Sequence, residues 1–203
     1  MTTDSPGKLN RLVLPGIVLV FAAPMLVSWW LVTQTSYGRN ASDVSHGQLF
    51  APARPLPDIE LVDLLDGDTN ITLHGKWNLV VVNQGGCNEA CFDSLYKIRQ
   101  IRLATGKYAP RVQRLLLSNG VFESSLDKQL LEQFNGQLFL NYQALPGAFI
   151  DNFRNGQADD SFASGELYLV DPLGNLMLRY AADTEPAGII KDLKRLLRYS
   201  RIG

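Results

Sequence analysis

The feature that most constrains the fold is an apolar segment that runs into a glycine turn carrying the only two cysteines of the chain. Residues 79–82 are followed by Gly85 and Gly86, then by Cys87 and Cys91, and a helical pattern begins directly afterwards. A helix N-terminus offers unpaired N–H groups and a partial positive charge, which favour a thiolate over a thiol. Because four residues make about one helical turn, the two thiols are expected on one helical face. Two such thiols can close a disulfide or bind one soft metal ion.

A second constraint is a run of 21 residues without charge, residues 12–32. At about 1.5 Å per residue, a helix of this length crosses a bilayer core of about 30 Å. Lys8 and Arg11 precede the run, and Trp29 and Trp30 lie at its far end, where aromatic residues favour the membrane interface. The positive-inside rule therefore predicts a cytoplasmic N-terminus and an exported remainder. A cleaved signal peptide is the alternative, but the run is longer than a typical signal core and lacks a small-x-small cleavage site.

Export changes what the cysteine pair is expected to do, because thiols outside the cytoplasm become oxidised by default. A structural disulfide is one interpretation. However, structural bridges gain most across long loops, and a bridge over a four-residue step restricts the unfolded chain only slightly. The sequence therefore favours a reactive pair. Cys87 is the preferred attacking thiol, since its position next to the glycine turn predicts greater exposure.

Four segments are predicted along the chain: a polar tail at 1–11, a transmembrane anchor at 12–32, a tether at 33–55 and one globular domain at 56–203. The formal net charge of −1 argues against a nucleic-acid partner, because such partners normally meet a basic surface.

The globular part alternates strands and helices in the order ββ–β–α–β–α–ββ–α. Strands are predicted at 59–64, 70–73, 77–82, 111–117, 138–140, 166–170 and 176–180, and helices at 88–104, 125–134 and 186–199. A strand–helix–strand crossover followed by an antiparallel hairpin and a closing helix is the order of a thioredoxin. We therefore predict an α/β, thioredoxin-like fold with an N-terminal β-hairpin extension, preceded by one transmembrane helix.

Three segments together resemble a known family: the strand at 77–82, the Cys87-x-x-x-Cys91 spacing and the hairpin at 167–174. This combination is similar to the Sco/SenC proteins, and in particular to their short, divergent proteobacterial members. The resemblance implies a thioredoxin-fold domain that faces the periplasm from a single anchor in the bacterial inner membrane. It also implies a role in assembling the copper A centre of cytochrome c oxidase.

The chain departs from this family's pattern at two positions. Family members that hold copper add a histidine just before the Tyr-Leu strand, and Ala163 stands at that position here. Phe92 stands where a proline usually follows the second cysteine. Cys87 and Cys91 alone can still hold copper(I), which accepts soft thiolate ligands. Dithiol–disulfide exchange needs only an attacking thiolate and a resolving thiol.

Three functions are compatible with these residues. In the favoured one, Cys87 and Cys91 are the catalytic residues of a membrane-anchored thiol–disulfide oxidoreductase that requires no cofactor and acts on a cytochrome c oxidase subunit or another copper carrier. In the second, the same two cysteines are metal ligands of a copper(I) chaperone, with a further ligand from elsewhere. The third is an assembly scaffold with a structural disulfide. His46 is interpreted as a solvated tether residue and His74 as a turn residue.

Overall fold

The computed structural model describes residues 9–34, 45–64, 70–85, 87–120, 133–154 and 165–202. The chain divides into two units, Met1–Val44 and Ser45–Gly203. The first unit contains helix α1, Leu9–Gln34. Among the described residues, no helix is both long and apolar enough to cross a membrane.

The second unit is an α/β structure. Its described strands are β1 (Gln48–Pro55), β2 (Leu61–Val62), β3 (Asn70–Ile71), β4 (Trp77–Asn83), β5 (Val112–Ser118), β6 (Gln137–Asn141), β7 (Leu167–Val170) and β8 (Asn175–Tyr180). Its described helices are α2 (Glu89–Ala104), α3 (Gly147–Ile150) and α4 (Pro186–Tyr199), with short 3₁₀ helices at Gly106–Arg111 and Tyr142–Ala144. The helix predicted at 125–134 lies almost entirely outside the described residues.

The main sheet has six strands in the order β1-β8-β7-β4-β5-β6, and β2 and β3 form a separate antiparallel pair. Strand β4 runs parallel to β5, and β5 runs parallel to β6. Strand β7 runs antiparallel to both β4 and β8. The crossover through α2 and the closing β7–β8 hairpin confirm the predicted thioredoxin-like arrangement. In register, Asn83 lies beside Ser118, so the carboxyl ends of β4 and β5 meet at one edge of the sheet.

The core has two layers, one on each face of the main sheet. Strand β4 is buried along its whole length, as expected for a central strand that is covered on both faces. Its side chains alternate between the layers. Leu79 and Val81 pack in the cluster that contains residues of α2 and α4, whereas Val80 and Val82 pack in the cluster on the opposite face. Cys91 belongs to the first cluster. The candidate site therefore lies on the α2 face of the sheet.

The opposite face carries a charge pair with a buried carboxylate and a partly buried guanidinium. Arg179 makes a bidentate contact with Glu166, which also accepts a hydrogen bond of 2.7 Å from the Tyr168 hydroxyl. The carbonyl oxygen of Phe153 lies 2.9 Å from the Tyr168 hydroxyl and shares its single proton with Glu166, and the rings of Phe153 and Tyr168 meet edge to face. Glu166 is 5% exposed. Tyr168 belongs to the core cluster on the face of the sheet opposite Cys91. Glu166 lies two residues before Tyr168 along the extended chain, so the Glu166–Arg179 pair is on the same face as Tyr168.

The predicted tether at 33–55 differs from the structure at its C-terminal end, where Gln48–Pro55 forms β1 and pairs antiparallel with β8. Most residues of β1 are exposed, as is common for an edge strand. The apolar alternation that reveals a half-buried strand is therefore weak here, and the sequence pattern does not show the strand. The part of the predicted tether at 35–44 lies outside the described residues.

His46 was interpreted from the sequence as a solvated tether residue, and this interpretation is wrong because the residue contacts α4. Its backbone N–H donates to Asp192 Oδ2 at 2.7 Å, and its Nδ1 lies 3.1 Å from Asp192 Oδ1. A β-carbon at Gly188 would come within 2.6 Å of the His46 ring, so only glycine leaves room for the imidazole on α4. The sequence gives no signal for this contact, since the partners are 146 residues apart.

Tyr180 meets the same carboxylate from the buried side. Its hydroxyl donates to Asp192 Oδ2 at 3.3 Å. Burial, and next the negative charge of Asp192, raise the pKa of Tyr180 well above its ordinary value of 10.0. Above pH 10 the unfolded chain therefore releases a proton that the folded chain retains, and the folded state loses stability as the pH rises.

We expect Tyr180→Phe to remove this share of the alkaline loss. Between pH 9 and pH 11, the free energy of unfolding of the wild type should fall by about 1.4 kcal/mol more than that of Tyr180→Phe. Urea unfolding of both proteins at the two pH values measures this difference. Equal losses in the two proteins would contradict the assignment.

Candidate functional site

Cys87 and Cys91 are joined by a disulfide, with their Cα atoms 5.2 Å apart. Cys91 lies in the first turn of α2 and is 1% exposed, whereas Cys87 precedes the helix and is half-buried. The expectation of two thiols on one helical face is therefore wrong in detail, because α2 begins only at Glu89. The disulfide instead connects the glycine turn to the first turn of the helix.

Asn88, between the two cysteines, caps α2. Its backbone is extended, and its Oδ1 accepts a hydrogen bond of 3.1 Å from the N–H of Cys91. Its carbonyl accepts a hydrogen bond of 3.0 Å from the N–H of Phe92. A proline at position 92 would lack that donor. The ring of Phe92 also stacks on Phe134, with centroids 6.2 Å apart, so this departure from the Sco pattern has a structural use here.

We expect Asn88→Ala to lower the free energy of unfolding by about 1 kcal/mol, because the N–H of Cys91 loses its capping acceptor. Urea unfolding of the oxidised full chain in detergent measures the change. Asn88→Asp is the matched control, since aspartate also caps well, and it should stay close to the wild type. A wild-type stability for Asn88→Ala would show that the cap contributes nothing.

The glycine turn before Cys87 is held by polar side chains from two strand ends. Gly85 has a φ of +83°, a left-handed conformation that favours glycine. Its N–H donates to Asn119 Oδ1 at 2.5 Å. Its carbonyl accepts hydrogen bonds from Ser118 Oγ at 2.8 Å and from Asn83 Nδ2 at 3.2 Å. These residues were not among the site residues predicted from the sequence. The available signal was a polar residue directly after each of two buried strands.

The position of the missing copper-ligand histidine, Ala163, lies outside the described residues. Two residues later, Gly165 lies against α2, since a β-carbon there would come 3.3 Å from Ser94 Oγ. His46 is bound to Asp192, and His74 lies beside Gly174 at the turn where the sequence placed it. Among the described residues, no group of three or more His, Cys, Asp or Glu side chains is placed to hold a metal ion.

A disulfide at the turn between a central strand and the following helix, in a mixed sheet of this order, defines a protein of the thioredoxin-like class. A family model described as "Transmembrane-like, thioredoxin-like, C-terminal domain" matches residues 77–200. The chain belongs to this family. No curated protein matches its sequence.

Solved structures with the same fold include Sco proteins. Yeast Sco1 with copper bound has 18% identity and a TM-score of 0.52, over 77% of this chain and 90% of Sco1. BsSco, a member of the Sco family of cytochrome c oxidase assembly proteins in which a disulfide switch was identified, has 15% identity and a TM-score of 0.53, over 73% and 96%. A thiol:disulfide interchange protein from Bacteroides sp. has 15% identity and a TM-score of 0.50, over 73% and 91%. At these identities the likeness establishes the fold, and the resemblance to Sco proteins is confirmed at that level.

Proposed function

We propose that this protein is a membrane-anchored thiol–disulfide oxidoreductase that assists assembly of the copper A centre of cytochrome c oxidase through Cys87 and Cys91. The observation that carries the proposal is a disulfide at the strand-to-helix turn with one half-buried and one fully buried cysteine. The Bacteroides interchange protein and BsSco share the fold, which supports the class of reaction and the assembly role.

Two features support Cys87 as the attacking cysteine. It is the more exposed of the two cysteines, so an incoming disulfide can approach its Sγ more readily. It also directly precedes the N-cap of α2, where the helix dipole and unpaired N–H groups favour a thiolate. Cys91, buried in the core cluster of the α2 face, is suited to the resolving role.

The exchange runs in two steps from the reduced chain. The Cys87 thiolate attacks one sulfur of a substrate disulfide, so a mixed disulfide forms and the other substrate sulfur leaves as a thiolate. Cys91 then attacks Cys87 Sγ, which restores the Cys87–Cys91 disulfide and releases the second substrate thiolate. Two electrons and two protons pass to the substrate, which becomes a dithiol. An external dithiol returns the chain to its reduced form by the reverse exchange.

The test uses an oxidase copper A subunit whose two copper-ligand cysteines are held as a disulfide. The reduced full chain in detergent is mixed with it, free thiols are alkylated, and the thiols on each protein are counted by mass spectrometry. The proposal predicts that the chain loses two thiols and the subunit gains two. A subunit that stays oxidised while the chain keeps both thiols would contradict it.

Copper(I) transfer is a second candidate function, favoured by the short separation of the two cysteines and by the copper-bound Sco1 structure of the same fold. After reduction, Cys87 and Cys91 would supply two thiolate ligands. An anaerobic copper(I) titration of the reduced full chain against a competing chelator tests this role. One-to-one binding that is lost in both Cys87→Ser and Cys91→Ser would support it. Binding no tighter than that of an unstructured dithiol peptide would exclude it.

We further infer that residues 12–32 anchor the protein in the bacterial inner membrane, with residues 1–11 in the cytoplasm and the disulfide-bearing unit in the periplasm. The uncharged run and the preceding Lys8 and Arg11 support this topology. Alkaline extraction should leave the full chain with the membrane, and protease added to spheroplasts should digest the periplasmic unit. Release by alkaline extraction, or protection from the protease, would contradict the topology.

A further inference from the structure

We propose that Ser118 and Asn119, at the end of β5, are positioning residues that hold the glycine turn before Cys87 and so set how readily the Cys87–Cys91 disulfide is reduced. The inference rests on the proposed exchange function and names the residues that tune it.

Asn83, Ser118 and Asn119 hydrogen-bond to the backbone N–H and carbonyl of Gly85, and these three side chains are called the clamp below. Asn119 Oδ1 accepts the N–H of Gly85 at 2.5 Å, and Ser118 Oγ donates to the carbonyl of Gly85 at 2.8 Å. Asn83 Nδ2 donates to the same carbonyl at 3.2 Å. Ser118 Oγ also accepts the N–H of Gly120 at 3.1 Å, which ties the end of β5 to its own following turn. Gly85 is therefore fixed two residues before Cys87.

The clamp belongs to the sheet and not to the helix. Asn83 and Ser118 are register partners on the parallel strands β4 and β5, and both are at most 1% exposed. Cys91, by contrast, is fixed by α2 and by the Asn88 cap. The disulfide therefore links two separately held elements: the turn at Gly85, held by the sheet, and the first turn of α2, held by the helix and its cap.

This arrangement acts on the reduced state. When the disulfide opens, the clamp keeps the backbone that leads into Cys87 in place, so the two thiols stay close and the bond closes again readily. Without the clamp the reduced turn gains conformational freedom, which stabilises the dithiol relative to the disulfide. The disulfide of a variant without the clamp should therefore be easier to reduce, and its midpoint potential should be less negative.

The test is a redox titration of the full chain in detergent, in dithiothreitol or glutathione buffers, with free thiols counted after alkylation. Asn119→Ala and Ser118→Ala should each lower the equilibrium constant for disulfide closure about tenfold, which raises the midpoint potential by about 30 mV. Urea unfolding of the oxidised proteins checks that each variant is folded. Asn119 is only half-buried, so its variant keeps the test available if Ser118→Ala does not fold.

Two matched controls separate positioning from a general loss of polar contacts. Asn141 is the register partner of Ser118 on β6, but its Oδ1 accepts the N–H of Gln143, at 2.9 Å, instead of the N–H of Gly85. Asn141→Ala should leave the potential unchanged, and Ser118→Thr, which retains a hydroxyl, should stay close to the wild type.

The outcomes distinguish this inference from the proposed function. A reducible wild type with the same potential as Asn119→Ala and Ser118→Ala would overturn the inference alone. An equal shift in Asn141→Ala would also overturn it, since the effect would then not belong to the clamp. A wild-type disulfide that resists reduction would overturn the proposed function, and this inference with it.

Discussion

Replacing Cys91 with serine is expected to trap a covalent complex between the protein and its substrate. Cys87 would still attack the substrate disulfide, but the mixed disulfide would persist because no resolving thiol remains. The rate at which Cys91→Ser repeatedly reduces substrate disulfides should fall to the uncatalysed background rate. Incubation of reduced Cys91→Ser with an oxidised dithiol protein, followed by non-reducing electrophoresis and mass spectrometry, measures the adduct.

Cys87→Ser is the matched control for this result. It retains only the cysteine that is 1% exposed, so it should form little adduct while losing turnover to the same extent. More adduct with Cys87→Ser than with Cys91→Ser would reverse the assigned roles. Full turnover in either variant would contradict exchange by this pair.

Glu166→Gln is expected to cause the largest loss of stability, about 3 kcal/mol in the free energy of unfolding. Glu166 pairs with Arg179 through two hydrogen bonds and accepts a third from Tyr168, and the carboxylate is nearly inaccessible. The same contact raises the pKa of Arg179. Removing the carboxylate charge leaves a partly buried guanidinium without its counter-ion, with only the neutral Gln48 Oε1 still accepting from it, and this is destabilising. Urea unfolding of the oxidised full chain measures the loss.

A double variant provides the control for this prediction. Combining Glu166→Gln with Arg179→Met removes the unpaired charge, so most of the lost stability should return. Because the pair lies on the face opposite the disulfide, the midpoint potential of Cys87–Cys91 should not change in either variant. A loss below about 1 kcal/mol for Glu166→Gln would show that water or other groups compensate the arginine.

Sequence patterns predicted the central part of the fold because burial on both faces leaves a continuous apolar run. Residues 79–82 of β4 are such a run, and the β7–β8 hairpin adds a Pro-Leu-Gly turn signal between its two strands. Edge strand β1 was not predicted, because most of its residues are exposed and apolar and polar residues do not alternate clearly along it. The contact of His46 with Asp192 could not be predicted, since it depends on tertiary packing across the length of the unit.

The candidate site was predictable in its chemistry and less so in its geometry. Two cysteines after a strand and a glycine turn were sufficient to locate it. The exact start of α2 could not be predicted in the same way, because Asn88 takes the capping position and leaves Cys87 outside the helix. The clamp on Gly85 depends on the register of β4 against β5, which brings Ser118 beside Asn83, and register between parallel strands cannot be read from one sequence.

The measurement that tests the central claim most directly is the redox titration of the Cys87–Cys91 couple in the wild-type full chain. An exchange protein should show one reversible two-electron transition, with a midpoint between roughly −300 and −120 mV, the range of disulfides that exchange with cellular thiols. A disulfide that stays closed well below about −300 mV would be a structural bridge, and that result would contradict the proposed function.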